Sequence, residues 1–157
     1  MFAGPFRAAS KAGVFITMLV FHDIYSEHGK LNERNTLEFS RVEGMLGGYT
    51  FSLDCWLWRR EHGNVDVSFD LSLRGGRWDD YVEWPFSKKV TVIVPHPKDR
   101  EKDIRLHMHE NGDDDPFEKP ATGSYNPYIS TAWISWKEIE LNGFVFNGTL
   151  CVNLEFD

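Results

Sequence analysis

The chain has 157 residues, 41% of them apolar and 15% aromatic, and a formal net charge of −7. That length and apolar content suffice for one domain with its own core, which excludes a disordered segment and a mini-protein stapled by metal or disulfides. The negative balance, with no dense Lys/Arg cluster to offset it, would repel a phosphate backbone and argues against a nucleic-acid partner.

In chain order, Arg7 and Lys11 precede the apolar run Val14 to Phe21, the layout of a secretory signal. His22, Asp23 and Tyr25 follow where a small-residue cleavage site would stand, so a first β-strand explains the run better. No run reaches the roughly 18 apolar residues needed to span a bilayer.

Next come a strand over Leu37 to Val42 and the turn pair Gly47-Gly48, then two runs of period-2 alternation. In the first, Tyr49, Phe51, Leu53, Cys55 and Leu57 face one way, and Thr50, Ser52, Asp54, Trp56 and Trp58 the other. In the second, Val65, Val67, Phe69, Leu71 and Leu73 alternate with Asp66, Ser68, Asp70, Ser72 and Arg74. Each reads as a strand with one buried face. Further strands are expected over Lys89 to Val94, Ile104 to His109, Tyr128 to Ile134 and Leu150 to Phe156. With Gly-Gly and Asn-Gly turns between them, they predict an eight-stranded antiparallel β-sandwich or barrel.

Ser135-Trp-Lys-Glu138 has the spacing of a capping box and predicts one short helix ending at Asn142-Gly143. Cys55 falls on an inward face and Cys151 on an outward one, so reduced thiols and a cytoplasmic setting are expected.

For chemistry, His107 and His109 share one strand face, but no further ligand is fixed and no metal is expected. The Asp113-Asp114-Asp115 run lacks the alternation of a calcium loop, and no nucleophile, nucleotide or cofactor motif occurs. An enzyme is not expected. On the outward sheet face, Asp54, Trp56, Trp58, Asp66 and Asp70 read as a recognition surface or as the underside of a second packed layer.

The blocks "GGYTFSLDCWL", "VSFDLSLRGGRWDDYVEWPFSKKVTVIV", "DREKDIRLHM", "DPFEKP" and "FVFNGTLCVNLEF" stand in an order that resembles the MATH domain, the C-terminal domain of tumour necrosis factor receptor-associated factors. The resemblance runs from about Gly13 to Phe156. It implies residues 13–157 as one TRAF-C/MATH-type sandwich, with residues 1–12 as an N-terminal extension. It also implies a non-catalytic adaptor that binds an extended receptor or adaptor segment by adding it to a sheet edge near Tyr128 to Thr131.

On the family's peptide-binding positions stand Asp54, Trp56, Asp70, Met108, Asp114 and Asp115, with Ser130 on the expected edge. The family's Arg and Tyr are replaced by Asp54 and Trp56. An acidic motif would therefore bind poorly, leaving a basic or apolar peptide, or a groove whose carboxylates merely solubilise the surface. The family also implies two alternatives: a module recruiting substrates to a ubiquitin ligase or protease, and a self-association domain forming a homotrimer. In either case no membrane insertion is expected.

Overall fold

Alternating sequence becomes two antiparallel sheets. The computed structural model describes residues 5–157. Its strands are β1 (Phe15–Phe21), β2 (Leu37–Leu46), β3 (Tyr49–Arg59), β4 (Val65–Arg74), β5 (Val90–Val94), β6 (Ile104–His107), β7 (His109–Glu110), β8 (Ile129–Ser130), β9 (Ile134–Ser135), β10 (Val145–Phe146) and β11 (Thr149–Phe156). The first sheet runs β1-β11-β5-β6 with β10 beside β11; the second runs β2-β3-β4-β8-β7 with β9 beside β4. The inward residues of β3 and β4 pack against Val92 and Val94 of β5 and against Leu150, Val152, Leu154 and Phe156 of β11, all buried.

Two expected strands are each divided, for physical reasons. The Ile104 to His109 run breaks at Met108 because the chain changes sheets there: β6 pairs with β5, and β7 crosses to pair with β8. His107 and His109 therefore lie in different sheets, and the expectation that they share a strand face is corrected. The Tyr128 to Ile134 run breaks because the Thr131 side chain enters the ladder, its Oγ1 accepting from the Phe69 N–H at 3.0 Å. Ala132 and Trp133 are then turned out to solvent between β8 and β9.

The expected helix forms as α2 (Trp136–Leu141) with Ser135 at its N-cap, but Ser135 makes no side-chain capping bond. The capping box is thus a boundary signal here, not a pair of hydrogen bonds. A second helix, α1 (Ile24–Gly29), was not anticipated; it docks through the fully buried Ile24.

The aromatic corner before β5 closes one end of the core. The Trp84-Pro85 peptide is cis. Tyr49 takes the edges of Trp84 at 5.2 Å and Phe86 at 4.8 Å, while Phe86 stacks on Phe117 at 6.0 Å. The backbone joins these two segments as well, since the Phe86 N–H donates to the Phe117 carbonyl at 2.8 Å. Trp84 is only half-buried, and its indole N–H donates to the Asp79 carbonyl at 2.7 Å. Trp84→Ala should therefore destabilise by about 3 kcal/mol, the low end for deleting a large aromatic, as read by chemical denaturation.

Residues 5–12 of the expected extension lie along the first sheet, while residues 1–4 fall outside the described residues. Arg7 donates to both Asp103 oxygens, at 2.6 and 2.9 Å, and the Asn153 amide donates to the Pro5 carbonyl at 2.8 Å. Burial opposes ionisation of Asp103, but hydrogen bonds from Arg7 and the His96 amide, with the Arg7 charge, win and hold its pKa below the usual carboxylate value. A lowered folded-state pKa contributes stability that is present above the unfolded value and lost as pH falls through the folded one. Stability measured against pH should therefore decline less steeply in acid for Asp103→Asn than for the parent.

Candidate protein-binding site

The two-residue turn at Gly47 and Gly48, both at positive φ (59° and 87°), fixes how β2 lies on β3. Leu46 then faces Tyr49, and counting outward brings Arg41 opposite Asp54. The register continues across the sheet, Asp54 opposite Asp70 and Asp70 opposite Ser130, which faces His109. Arg41, Asp54, Asp70, Ser130 and His109 thus form one polar row across the whole outer face of the second sheet.

Asp54, expected on the solvent side, is fully buried. Its carboxylate is held by a two-point ion pair, Arg41 Nε to Oδ1 at 2.7 Å and Nη2 to Oδ2 at 2.9 Å. Arg41 also donates to the Tyr128 hydroxyl at 2.9 Å. The exposed group in this part of the face is therefore a cation, with Asp54 as its support. Sequence reading missed Arg41, although the two-residue Gly-Gly turn already implied that it faces Asp54.

Asp70 is half-buried and accepts a hydrogen bond from the Ser130 hydroxyl, which in turn accepts from the Asn111 amide. Burial raises the Asp70 pKa, and the nearby Asp54 adds to the effect. The Ser130 hydrogen bond opposes the rise, and so, to a lesser degree, does the nearby Trp56 indole N–H, which makes no well-formed hydrogen bond and is left buried and unpartnered. Trp56 is half-buried, stacked on the exposed Phe39 at 4.7 Å. Further along, Arg60 lies 3.6 Å over the Trp58 ring, and Trp133 meets Trp58 edge-on at 5.4 Å. The outward aromatics are a stacked layer of their own.

Met108 does not join this row. At the sheet crossing it lines a groove of about 510 Å³ with Val90, Phe117, Ile129, Lys89 and Glu110. Asp114 and Asp115 are exposed on the loop after β7, and Asp115 accepts from the Phe117 N–H at 2.8 Å. Ser130, expected on the sheet edge, lies one strand inside it, because β7 pairs with β8 and is itself the edge. The structure thus brings Asp54, Asp70 and Ser130 into one row with Trp56 beside Asp70, and leaves Met108 in a separate groove. Among the described residues no group of three or more metal-ligating side chains gathers, and no helix is long and apolar enough to cross a membrane.

Comparison with known proteins bears on what such a face is for. No curated protein matches the sequence significantly. Among solved structures the chain is similar to Notothenia coriiceps TRAF5, at 15% identity and a TM-score of 0.62, over 90% of this chain and 72% of that one. At that identity the likeness shows the fold. The family model "TRAF/meprin, MATH domain" matches residues 44–153, well over half of the sequence. The chain therefore belongs to the TRAF/meprin MATH-domain family and has the fold of a protein-interaction module.

Proposed function

We propose that this domain is a non-catalytic adaptor that captures an extended segment of a partner protein at the β7–β8 end of the second sheet. The segment carries basic or apolar side chains. The observation that carries this reading is the charge at that end: Glu110, Asp113, Asp114 and Asp115 are exposed on and just beyond the edge strand, and Asp70 lies two strands in. Main-chain pairing would use the outer edge of β7, the Met108 groove would take an apolar side chain, and the carboxylates would take Lys or Arg.

Asp54 serves indirectly in this reading, by fixing Arg41; Trp56, Asp70 and Ser130 form the floor, and Asp114 and Asp115 the acidic rim. An acidic segment is disfavoured by the rim and by Asp70.

The test is a titration of extended basic, apolar and acidic peptides, followed by fluorescence anisotropy at several salt concentrations. Basic peptides should bind best and weaken as salt rises. Because the Asp70 pKa is raised, its charge is lost at a higher pH than that of an ordinary carboxylate, so affinity should fall as mildly acidic pH is approached. Asp70→Asn should weaken binding near neutral pH and flatten that dependence. Preferential binding of acidic peptides would overturn the assignment.

A further inference from the structure

The opposite edge of the same sheet is built differently. β2 is ten residues long, pairs without a bulge from Leu37↔Trp58 to Leu46↔Tyr49, and contains no Pro or Lys. Edge strands are ordinarily shortened, bulged, or guarded by Lys or Pro, because their unpaired amides and carbonyls template association. β2 ends the sheet and is paired with β3 alone, while β1 and helix α1 approach it without pairing.

Which groups point outward follows from a single bond. The Arg59 N–H donates to the Thr36 carbonyl at 2.8 Å, so Thr36 and Arg59 are a hydrogen-bonded pair. In an antiparallel ladder such pairs alternate, which turns the N–H and C=O of Leu37, Phe39, Arg41, Glu43 and Met45 away from β3. These are also the residues whose side chains lie on the outer sheet face. Three of them are exposed large apolar groups: Leu37 at 48%, Phe39 at 41% and Met45 at 52%.

We infer that the β2 edge is a self-association surface on which a second copy of this chain pairs its own β2 antiparallel about a two-fold axis. Complementarity within the strand favours a second copy as the occupant. In the register centred on Val42, Arg41 lies opposite Glu43 of the second copy, and Phe39 lies opposite Met45, with each pair repeated by the axis. About eight backbone hydrogen bonds then form between outward-facing groups. Shifting the register by two residues would set Arg41 against Arg41 in one direction and Glu43 against Glu43 in the other, so charge selects this one pairing.

Both charges have capacity to spare. Arg41 uses Nε and Nη2 on Asp54 and Tyr128, and among the described residues Nη1 has no partner. Among the described residues Glu43 receives Arg74 at Oε1 only, and Oε2 has no partner. Two sheets become one continuous sheet through the axis, and because the contact is two-fold it closes at a dimer. The proposed peptide-binding end lies at the far edge of each sheet and stays open.

Sedimentation velocity across a concentration series, with hydrogen–deuterium exchange on the same samples, tests this. The parent chain should pass from monomer to dimer as concentration rises, and the amides of Phe39, Arg41, Glu43 and Met45 should slow in step. Glu43→Arg, which faces Arg41 with a like charge, should weaken the dimer by at least about tenfold; Met45→Lys should do the same by placing a charge on Phe39. A chain that stays monomeric at millimolar concentration would overturn the inference. So would a trimer, a dimer indifferent to both substitutions, or β2 amides that exchange equally fast at all concentrations.

Discussion

Arg41→Ala should lower stability by about 3 kcal/mol, read as a fall in denaturation midpoint without a change in slope. Asp54 has no exposed surface, and Arg41 supplies both of its charged hydrogen bonds. Removing the cation leaves a buried carboxylate without a counter-charge and with Asp70 directly across the ladder. The estimate sits at the low end for breaking a buried pair because the Arg41 side chain is 34% exposed, so water can partly replace it. Replacing both partners with apolar residues, as in Arg41→Met with Asp54→Leu, should recover most of the loss, since the cost comes from the orphaned charge. Asp54→Arg, by contrast, would set a second guanidinium against Arg41 from a position that is itself fully buried, and should unfold the domain before it changes any ligand preference. If Arg41→Ala left stability unchanged, the ion pair would not be holding the row.

Phe156→Ala should be at least as damaging, at about 3–5 kcal/mol. Its ring is fully buried and touches three others: Phe86 at 5.1 Å, Phe51 at 6.1 Å and Tyr49 at 6.4 Å. It is the point where β3, β11 and the Trp84-Pro85-Phe86 corner meet, so truncation opens a cavity that rigid strands on both sheets cannot close. The expected result is a folded fraction that falls sharply with modest denaturant, with loss of near-ultraviolet aromatic signal. Phe156→Leu, which keeps most of the volume, should cost much less. Equal effects from the two substitutions would mean that ring packing does not organise this end of the sandwich.

How far these features were readable in advance depends on the element. Strict alternation made β3 and β4 plain, because only one register puts Phe51, Leu53, Val67 and Phe69 inside. The fold class followed from that alternation and from the turn residues between the runs. Alternation says which residues share a face, however, and not whether that face meets water. Asp54 was therefore placed in solvent when its neighbours Arg41 and Tyr128 cover it.

Met108 looked like one position in a continuous strand, because a crossing between sheets leaves the local pattern of residues unchanged. Thr131 looked like an ordinary strand residue, yet its hydroxyl stands in for a backbone acceptor. Helix α1, six residues long, is too short to show a helical period. The Arg41–Asp54 contact was within reach, since a two-residue turn sets the register of both strands it joins.

Selection from a displayed library of extended acidic, apolar and basic segments, run in parallel on the parent chain and on Asp114→Lys/Asp115→Lys, tests the central claim most directly. Both positions are exposed, but Asp115 also accepts from the Phe117 N–H, so Asp114→Lys alone is run beside the double variant as the substitution that leaves that turn intact. The account predicts enrichment of basic segments by the parent and a loss of at least about tenfold in their affinity for the double variant. Enrichment of acidic segments, or basic binding indifferent to the two substitutions, would contradict it.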